Sequence, residues 1–153
     1  MRTIIIGDVH GCFTEFTELL EKCEIGSEDR LILVGDLMDR GPKSREVFEK
    51  VCELKESMGD RFYLVRGNHE EMLLDAIINK DESLWRNNGG TKTKFSFGLG
   101  KQKLIECADW IKAIMPYYQE FENLLLVTSH PSDSFRSQEL HPSLLPSVPA
   151  EYL

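Results

Sequence analysis

The sequence is short of the features that mark several large classes of protein. No apolar run is long enough to span a bilayer, since no aliphatic stretch is longer than Leu124 to Val127. Ile4 to Ile6 is too brief for the apolar core of a secretory leader and ends at Gly7-Asp8. Basic residues are in deficit: 18 Lys and Arg face 26 Asp and Glu, for a formal charge of -8. That sign disfavours a nucleic-acid partner, because phosphate backbones select basic surfaces. Cys12, Cys23, Cys52 and Cys107 form no C-x-x-C pair and no Cys/His zinc spacing. They read as small apolar residues of a cytoplasmic protein. Neither a G-x-G-x-x-G turn nor a P-loop follows any apolar run, so no phosphate cradle of that kind is present. What is there is ordinary for a folded domain: 153 residues, 41% hydrophobic and 29% charged, enough for one real core. A partner carrying phosphate fits this acidic chain only where metals and a few Arg make the surface locally positive.

One grammar recurs three times. An apolar run is followed by Gly with acidic or His residues, and then by a helical pattern. Thr3 to Ile6 leads into Gly7-Asp8-Val9-His10-Gly11, and Phe13, Phe16, Leu19, Leu20 and Cys23 then recur at helical spacing. Leu31 to Val34 leads into Gly35-Asp36-Leu37-Met38-Asp39-Arg40-Gly41-Pro42. Pro42 suits a first helical turn, with Val47, Val51 and Leu54 as the buried stripe. Phe62 to Val65 leads into Arg66-Gly67-Asn68-His69-Glu70, before Met72, Leu73, Ala76 and Ile77. Short apolar strands alternating with amphipathic helices imply βαβ units, an α/β class and a mainly parallel sheet. In such sheets functional groups gather at the carboxyl ends of the strands, where all three polar clusters fall. Further on, Trp85 to Thr91 reads as a loop, Lys101 to Met115 as a helix, and Tyr117–Phe121 with Leu124–Thr128 as paired strands. Four of the six prolines lie at 131, 142, 146 and 149 among serines. The chain therefore divides into a domain over 1–130 and an irregular Ser/Pro-rich tail over 131–153.

The clusters carry the residue types of a metal site. Asp8 and His10 are one residue apart in extended chain, so both point the same way. Asp36 adds a carboxylate from the next strand and can bridge two ions, and Asn68 adds an amide oxygen. This donor set suits two divalent ions, Mn first, with Fe or Zn as alternatives. Two bridged ions polarise a phosphoryl oxygen and lower the pKa of a shared water, giving a hydroxide nucleophile. His69 follows a ligand at the rim and is placed to protonate a leaving oxygen, with Asp39 supporting it. Arg40 and Arg66 suit a phosphate clamp, since guanidinium binds phosphate oxygens bidentately.

Gly-Asp-Val-His-Gly at 7–11, Gly-Asp-Leu-Met-Asp-Arg-Gly at 35–41 and Arg-Gly-Asn-His-Glu at 66–70 resemble the three signatures of the calcineurin-like metallophosphoesterases. The Asp-Arg-Gly and Arg-Gly-Asn-His-Glu forms are similar to the phosphoprotein phosphatase branch, especially its small bacterial and phage members. Trp85 and Asn88-Gly89-Gly90 resemble a loop of that branch. The resemblance implies a β-sandwich flanked by helices. It implies Asp8, His10 and Asp36 on a first metal and Asp36 with Asn68 on a second. It also implies His69 with Asp39 as the catalytic pair, and Arg40 with Arg66 on phosphate. The activity implied is that of a serine/threonine protein phosphatase acting on a phosphorylated protein or small phosphoester. Symmetrical dinucleoside tetraphosphate hydrolysis is the alternative.

The later half departs from that pattern. His130 stands where the family has its next metal histidine, but Pro131-Ser132 replace the usual Ala-Gly. No later Gly-His motif follows, His141 is a poor substitute, and only Arg136 stands near a further phosphate-binding Arg. The expectation is therefore a C-terminally truncated member with an incomplete second sheet. A frameshift near residue 130 explains the tail, and a non-catalytic metal-binding remnant is the competing outcome.

Overall fold

The computed structural model describes residues 1–98, 100–121 and 124–127, of which Phe121 and 124–127 are described by backbone alone. His130, expected as a further metal donor, lies outside these residues, as do His141, Arg136 and the 131–153 tail.

Three apolar runs form a parallel sheet in the order β1-β2-β3: β1 (Thr3–Ile6), β2 (Arg30–Leu33) and β3 (Phe62–Leu64). Ile4 pairs with Leu31, and Leu33 with Leu64. Leu31, Ile32 and Leu33 of the central strand are wholly buried, as strands covered on both faces must be. Full burial of one such side chain contributes roughly 1.5–3 kcal/mol. Helix α1 (Phe13–Cys23) links β1 to β2, and α2 (Ser44–Met58) links β2 to β3. Helix α3 (Asn68–Asn79) follows β3 and packs on α6 (Lys101–Ile114). Between them lie α4 (Ser83–Trp85), a kinked turn over Arg86–Gly90 and α5 (Thr91–Ser96). An antiparallel pair, β4 (Tyr118–Phe121) and β5 (Leu124–Val127), closes the described chain.

The expected strands and the four expected helices are present. Phe16, Val47, Val51, Met72, Leu73, Ala76, Leu104, Ala108, Ile111 and Met115 are buried as their spacing requires. Four expectations need correction. Leu19 and Ile105 are exposed, because each sits at the margin of its helix's apolar stripe. Pro42 precedes α2, which begins only at Ser44. Residues 85–91 are two helical turns meeting at a kink at Gly89 rather than an open loop, with Trp85 drawn into the core.

At the amino ends of the strands, Arg2, Asp29 and Arg61 precede β1, β2 and β3. Arg2 donates from its backbone and side chain to the Asp29 carboxylate, at 2.7 and 2.9 Å. Arg61 donates to the Asp29 carbonyl at 2.9 Å. The carboxyl ends are built differently.

Candidate active site

Each strand leaves the sheet into a turn that carries part of the site. The first two turns are stitched by backbone: Val9 and His10 donate to the Asp36 carbonyl at 3.0 and 2.9 Å, and Gly41 donates to the His10 carbonyl at 2.9 Å. The second and third are joined by Glu70. Its carboxylate accepts the backbone N–H groups of Asp36, Leu37 and Gly67 at 2.8, 2.8 and 2.9 Å. Gly67 has no room for a Cβ, which would collide with Asp36. Glu70 is fully buried, and burial together with the Asp36 charge pushes its carboxyl up to about 7, against the pull of the three backbone donors.

These turns hold strained backbone. His10, Asp36, Asp39 and Arg40 have φ of 47, 50, 70 and 63°, in the left-handed region that side chains disfavour. Such residues persist where the surroundings over-determine them, and they cluster at ligand sites.

The side chains converge accordingly. His10, Asp36 and His69 each bring one ligand atom within 4.8 Å of the others. His10 Nδ1 lies 2.9 Å from the Met38 carbonyl, which can only accept, so the proton sits on Nδ1 and Nε2 carries a lone pair. That Nε2 is buried with no hydrogen-bond partner among the described residues, 3.5 Å from an Asp8 carboxylate oxygen. An imidazole held by a carbonyl behind, with its other nitrogen orphaned in front, is the disposition of a metal-ligating histidine. Asp8 itself is exposed at the rim. The Asn68 amide lies 2.9 and 3.1 Å from the two Asp36 carboxylate oxygens. With its nitrogen inward it donates to them; with its oxygen inward, the facing acceptors require a cation between them. The donor set at Asp8, His10, Asp36 and Asn68 therefore fits a divalent ion.

His69 occupies the next position. Its backbone N–H donates to Asp36 Oδ1 at 3.0 Å, and its ring meets that of His10 edge-on at 4.6 Å. Nδ1 donates to Asp39 Oδ2 at 2.8 Å, while Nε2 accepts from the exposed Arg40 guanidinium at 3.0 Å. Asp39 is fully buried. It also accepts from the Trp85 indole at 3.0 Å and from the Thr93 hydroxyl at 2.6 Å.

Arg66 makes its contacts at α6 and α3. Its three nitrogens donate to the Met115 carbonyl at 3.2 Å, Glu71 at 3.2 Å and the Lys112 carbonyl at 3.4 Å, and its guanidinium stacks on Tyr117. The structure commits Arg66 to the C-terminal end of α6. Sequence reasoning did not find Glu70 as a clamp or Thr93 and Ser44 as partners of Asp39. Glu70 carried a signal, since a Glu three residues after a helix start reaches back to the first turn. Thr93 and Ser44 carried none.

The calcineurin-like phosphoesterase family model matches residues 1–141. Serine/threonine-protein phosphatase 1 of Salmonella typhimurium is 42% identical over 87 residues, covering 56% of this chain and 38% of that protein. The symmetrical bis(5'-nucleosyl)-tetraphosphatase of Erwinia tasmaniensis is 36% identical over 131 residues, covering 85% of this chain and 44% of that protein. Among solved structures, a protein serine/threonine phosphatase from Saccharomyces cerevisiae superposes with a TM-score of 0.56 at 26% identity. It covers 76% of this chain and 33% of that one. The chain thus spans less than half the length of these relatives. Matching that family model over most of its length, the chain belongs to the calcineurin-like phosphoesterases.

Proposed function

We propose that this chain is a metal-dependent phosphomonoesterase of the serine/threonine protein phosphatase type. The observation that carries the reading is His69, held by Asp39 on one nitrogen and facing Arg40 with the other, beside the donors His10 and Asp36. Asp8, His10 and Asp36 would hold one divalent ion, and Asp36 with Asn68 would begin a second, with His130 as a further donor. Mn suits this oxygen-rich set. Such ions supply Lewis acidity toward a phosphoryl oxygen and activate water.

The chain's own groups do the rest. Arg40 turns from His69 Nε2 to the phosphate oxygens, its exposure leaving it free to do so. Arg66 joins the clamp only by exchanging its present partners. His69, protonated on both nitrogens with the Asp39 carboxylate behind Nδ1, gives its Nε2 proton to the ester oxygen as the P–O bond breaks and water adds to phosphorus. An alcohol and inorganic phosphate result. The unpaired state of all four cysteines supports a reducing, cytoplasmic setting.

Hydrolysis of p-nitrophenyl phosphate with added Mn tests the reading, with Asp36→Asn and His69→Asn as controls. Turnover abolished by Asp36→Asn and greatly lowered by His69→Asn supports it, and folded, Mn-loaded chain without turnover makes it a metal-binding remnant. A second reading, dinucleoside tetraphosphate hydrolysis, is favoured by the longer reach of that similarity, 85% of the chain against 56%. Comparing a phosphoserine peptide with diadenosine tetraphosphate separates the two.

A further inference from the structure

Asp39 is approached from behind by a segment that the mechanism above leaves unused. The Trp85 Nε1–H lies 3.0 Å from both Asp39 carboxylate oxygens. The Thr93 hydroxyl donates to Oδ1 at 2.6 Å and accepts the Asp39 backbone N–H at 2.9 Å. Ser44 Oγ stands 2.9 Å from Thr93 Oγ1 and accepts the same N–H at 3.2 Å. All four residues are buried, with Trp85 only 1% exposed.

The turn between Trp85 and Thr93 is shaped to this arrangement. Gly90 lies flat beneath the indole, and a Cβ there would overlap Trp85 Cε2, Cδ2 and Nε1. Gly89, at φ 106°, backs onto Arg40: a Cβ would stand 2.7 Å from Arg40 N, and the Gly89 carbonyl faces that N–H at 3.4 Å. One glycine admits the indole to Asp39, and the other admits the chain to Arg40. The consecutive left-handed residues Asp39 and Arg40 are braced from outside at both positions.

We propose that Trp85 is a positioning residue, which with Thr93 fixes the Asp39 carboxylate in the orientation that presents the His69 ring for proton delivery. This rests on the phosphoesterase reading for its kinetic consequence, though not for its geometry. A carboxylate with a single partner can swing about its side-chain torsion. Two further donors on the same carboxylate leave it one orientation, so the His69 ring inherits that orientation through Nδ1. Neither donor reaches the substrate side of His69.

Leaving-group dependence tests this. A proton donor matters for phenyl phosphate and hardly at all for dinitrophenyl phosphate, whose leaving group departs as the anion. Trp85→Phe removes the N–H while keeping an aromatic ring, and Gly90→Ala displaces the indole. Thr93→Val deletes the hydroxyl, and Thr93→Ser retains it. The expected result is that Trp85→Phe, Gly90→Ala and Thr93→Val each lose about tenfold or more in kcat on phenyl phosphate relative to dinitrophenyl phosphate. KM should stay unchanged, and Thr93→Ser should behave as wild type. In a His69→Asn background the same substitutions should cause no further loss. Equal losses on both substrates, or undiminished losses in the His69→Asn background, would overturn the proposal. Should Trp85→Phe fail to fold, the Thr93 pair carries the kinetic arm.

A second arm needs no turnover. The chain has two tryptophans, so a proton–nitrogen correlation spectrum shows two indole N–H signals. The Trp85 signal should lie downfield and move in Asp39→Asn and in Gly90→Ala; a signal indifferent to Asp39→Asn refutes the contact. If the wild-type chain hydrolyses neither substrate, the phosphoesterase reading falls, and the indole signal alone then decides the positioning.

Discussion

The two ends of the three-stranded sheet use similar ingredients to opposite effect. At the amino ends, Asp29 is saturated. It receives the Arg2 backbone N–H, the Arg2 guanidinium and the Gly26 N–H, while Arg61 donates to the carbonyls of Gly26 and Asp29. The Arg2 guanidinium and these backbone donors hold the Asp29 carboxyl well below the usual carboxylate range. At the carboxyl ends, His10 Nε2 has no hydrogen-bond partner among the described residues, four side-chain-bearing residues take left-handed backbone, and burial holds Glu70 up. A closed polar network fastens strand starts to one another. An open, strained one aims donors at a common point, as ligand sites do.

The largest test of that contrast is catalytic. His69→Asn should lower phosphoester hydrolysis by about a thousandfold, whereas Arg2→Ala should lower the melting temperature and leave kcat alone. Loss of turnover in Arg2→Ala at a temperature where it is folded would erase the distinction between the ends. Next in size is Glu70→Ala. It strands three buried backbone donors, each costing about 1–3 kcal/mol when unmade, so the substitution should cost about 3 kcal/mol or more in a urea titration. Glu70→Gln should fall between, because its single carbonyl oxygen still accepts.

The architecture of the carboxyl end was legible because each polar cluster follows an apolar run short enough to be a strand. Topology alone then brings Asp8, Asp36 and Asn68 to one edge of the sheet. The rest depended on approach through space. Asn88-Gly89-Gly90 has the chemistry of a turn and does kink at Gly89, yet helix resumes directly after it, with Trp85 buried against Gly90. Thr93 and Ser44 are ordinary helical residues until Asp39 is brought between them. Arg66 has the composition of a phosphate ligand, but its direction is set by carbonyls of Lys112 and Met115, dozens of residues later. Leu19 and Ile105 fit helical spacing and still lie at the surface, since spacing gives a face and not its width.

Metal binding should sharpen the contrast without any substitution. An ion that binds only the folded chain adds about 2.7 kcal/mol at a concentration one hundred times its Kd. Hydrogen exchange should show the added protection at residues 8–12, 36–41 and 66–70, with no selective change around Arg2, Asp29 and Arg61. Protection spread evenly over both ends would mean that the carboxyl end was no looser than the amino end beforehand.

The smallest expected changes come from pH alone, and they separate the ends by sign. Asp29 has a folded pKa below its unfolded one, so its contribution is present above the ordinary carboxylate range and is lost as pH falls through the folded value. Glu70 runs the other way. Its carboxyl rises from the ordinary 4.5 to about 7, so the folded chain binds the extra proton, and the stability this confers is fully present below 4.5 and is lost as pH climbs toward 7. Thermal melts of metal-free chain across this range should therefore decline between about 4.5 and 7, and Glu70→Gln should flatten that decline while leaving the acid limb. Asp29→Asn should flatten the acid limb alone. Bound metal offsets the Asp36 charge that helps hold Glu70 up, so the decline should shrink when Mn is added, while the acid limb at the other end of the sheet stays as it was.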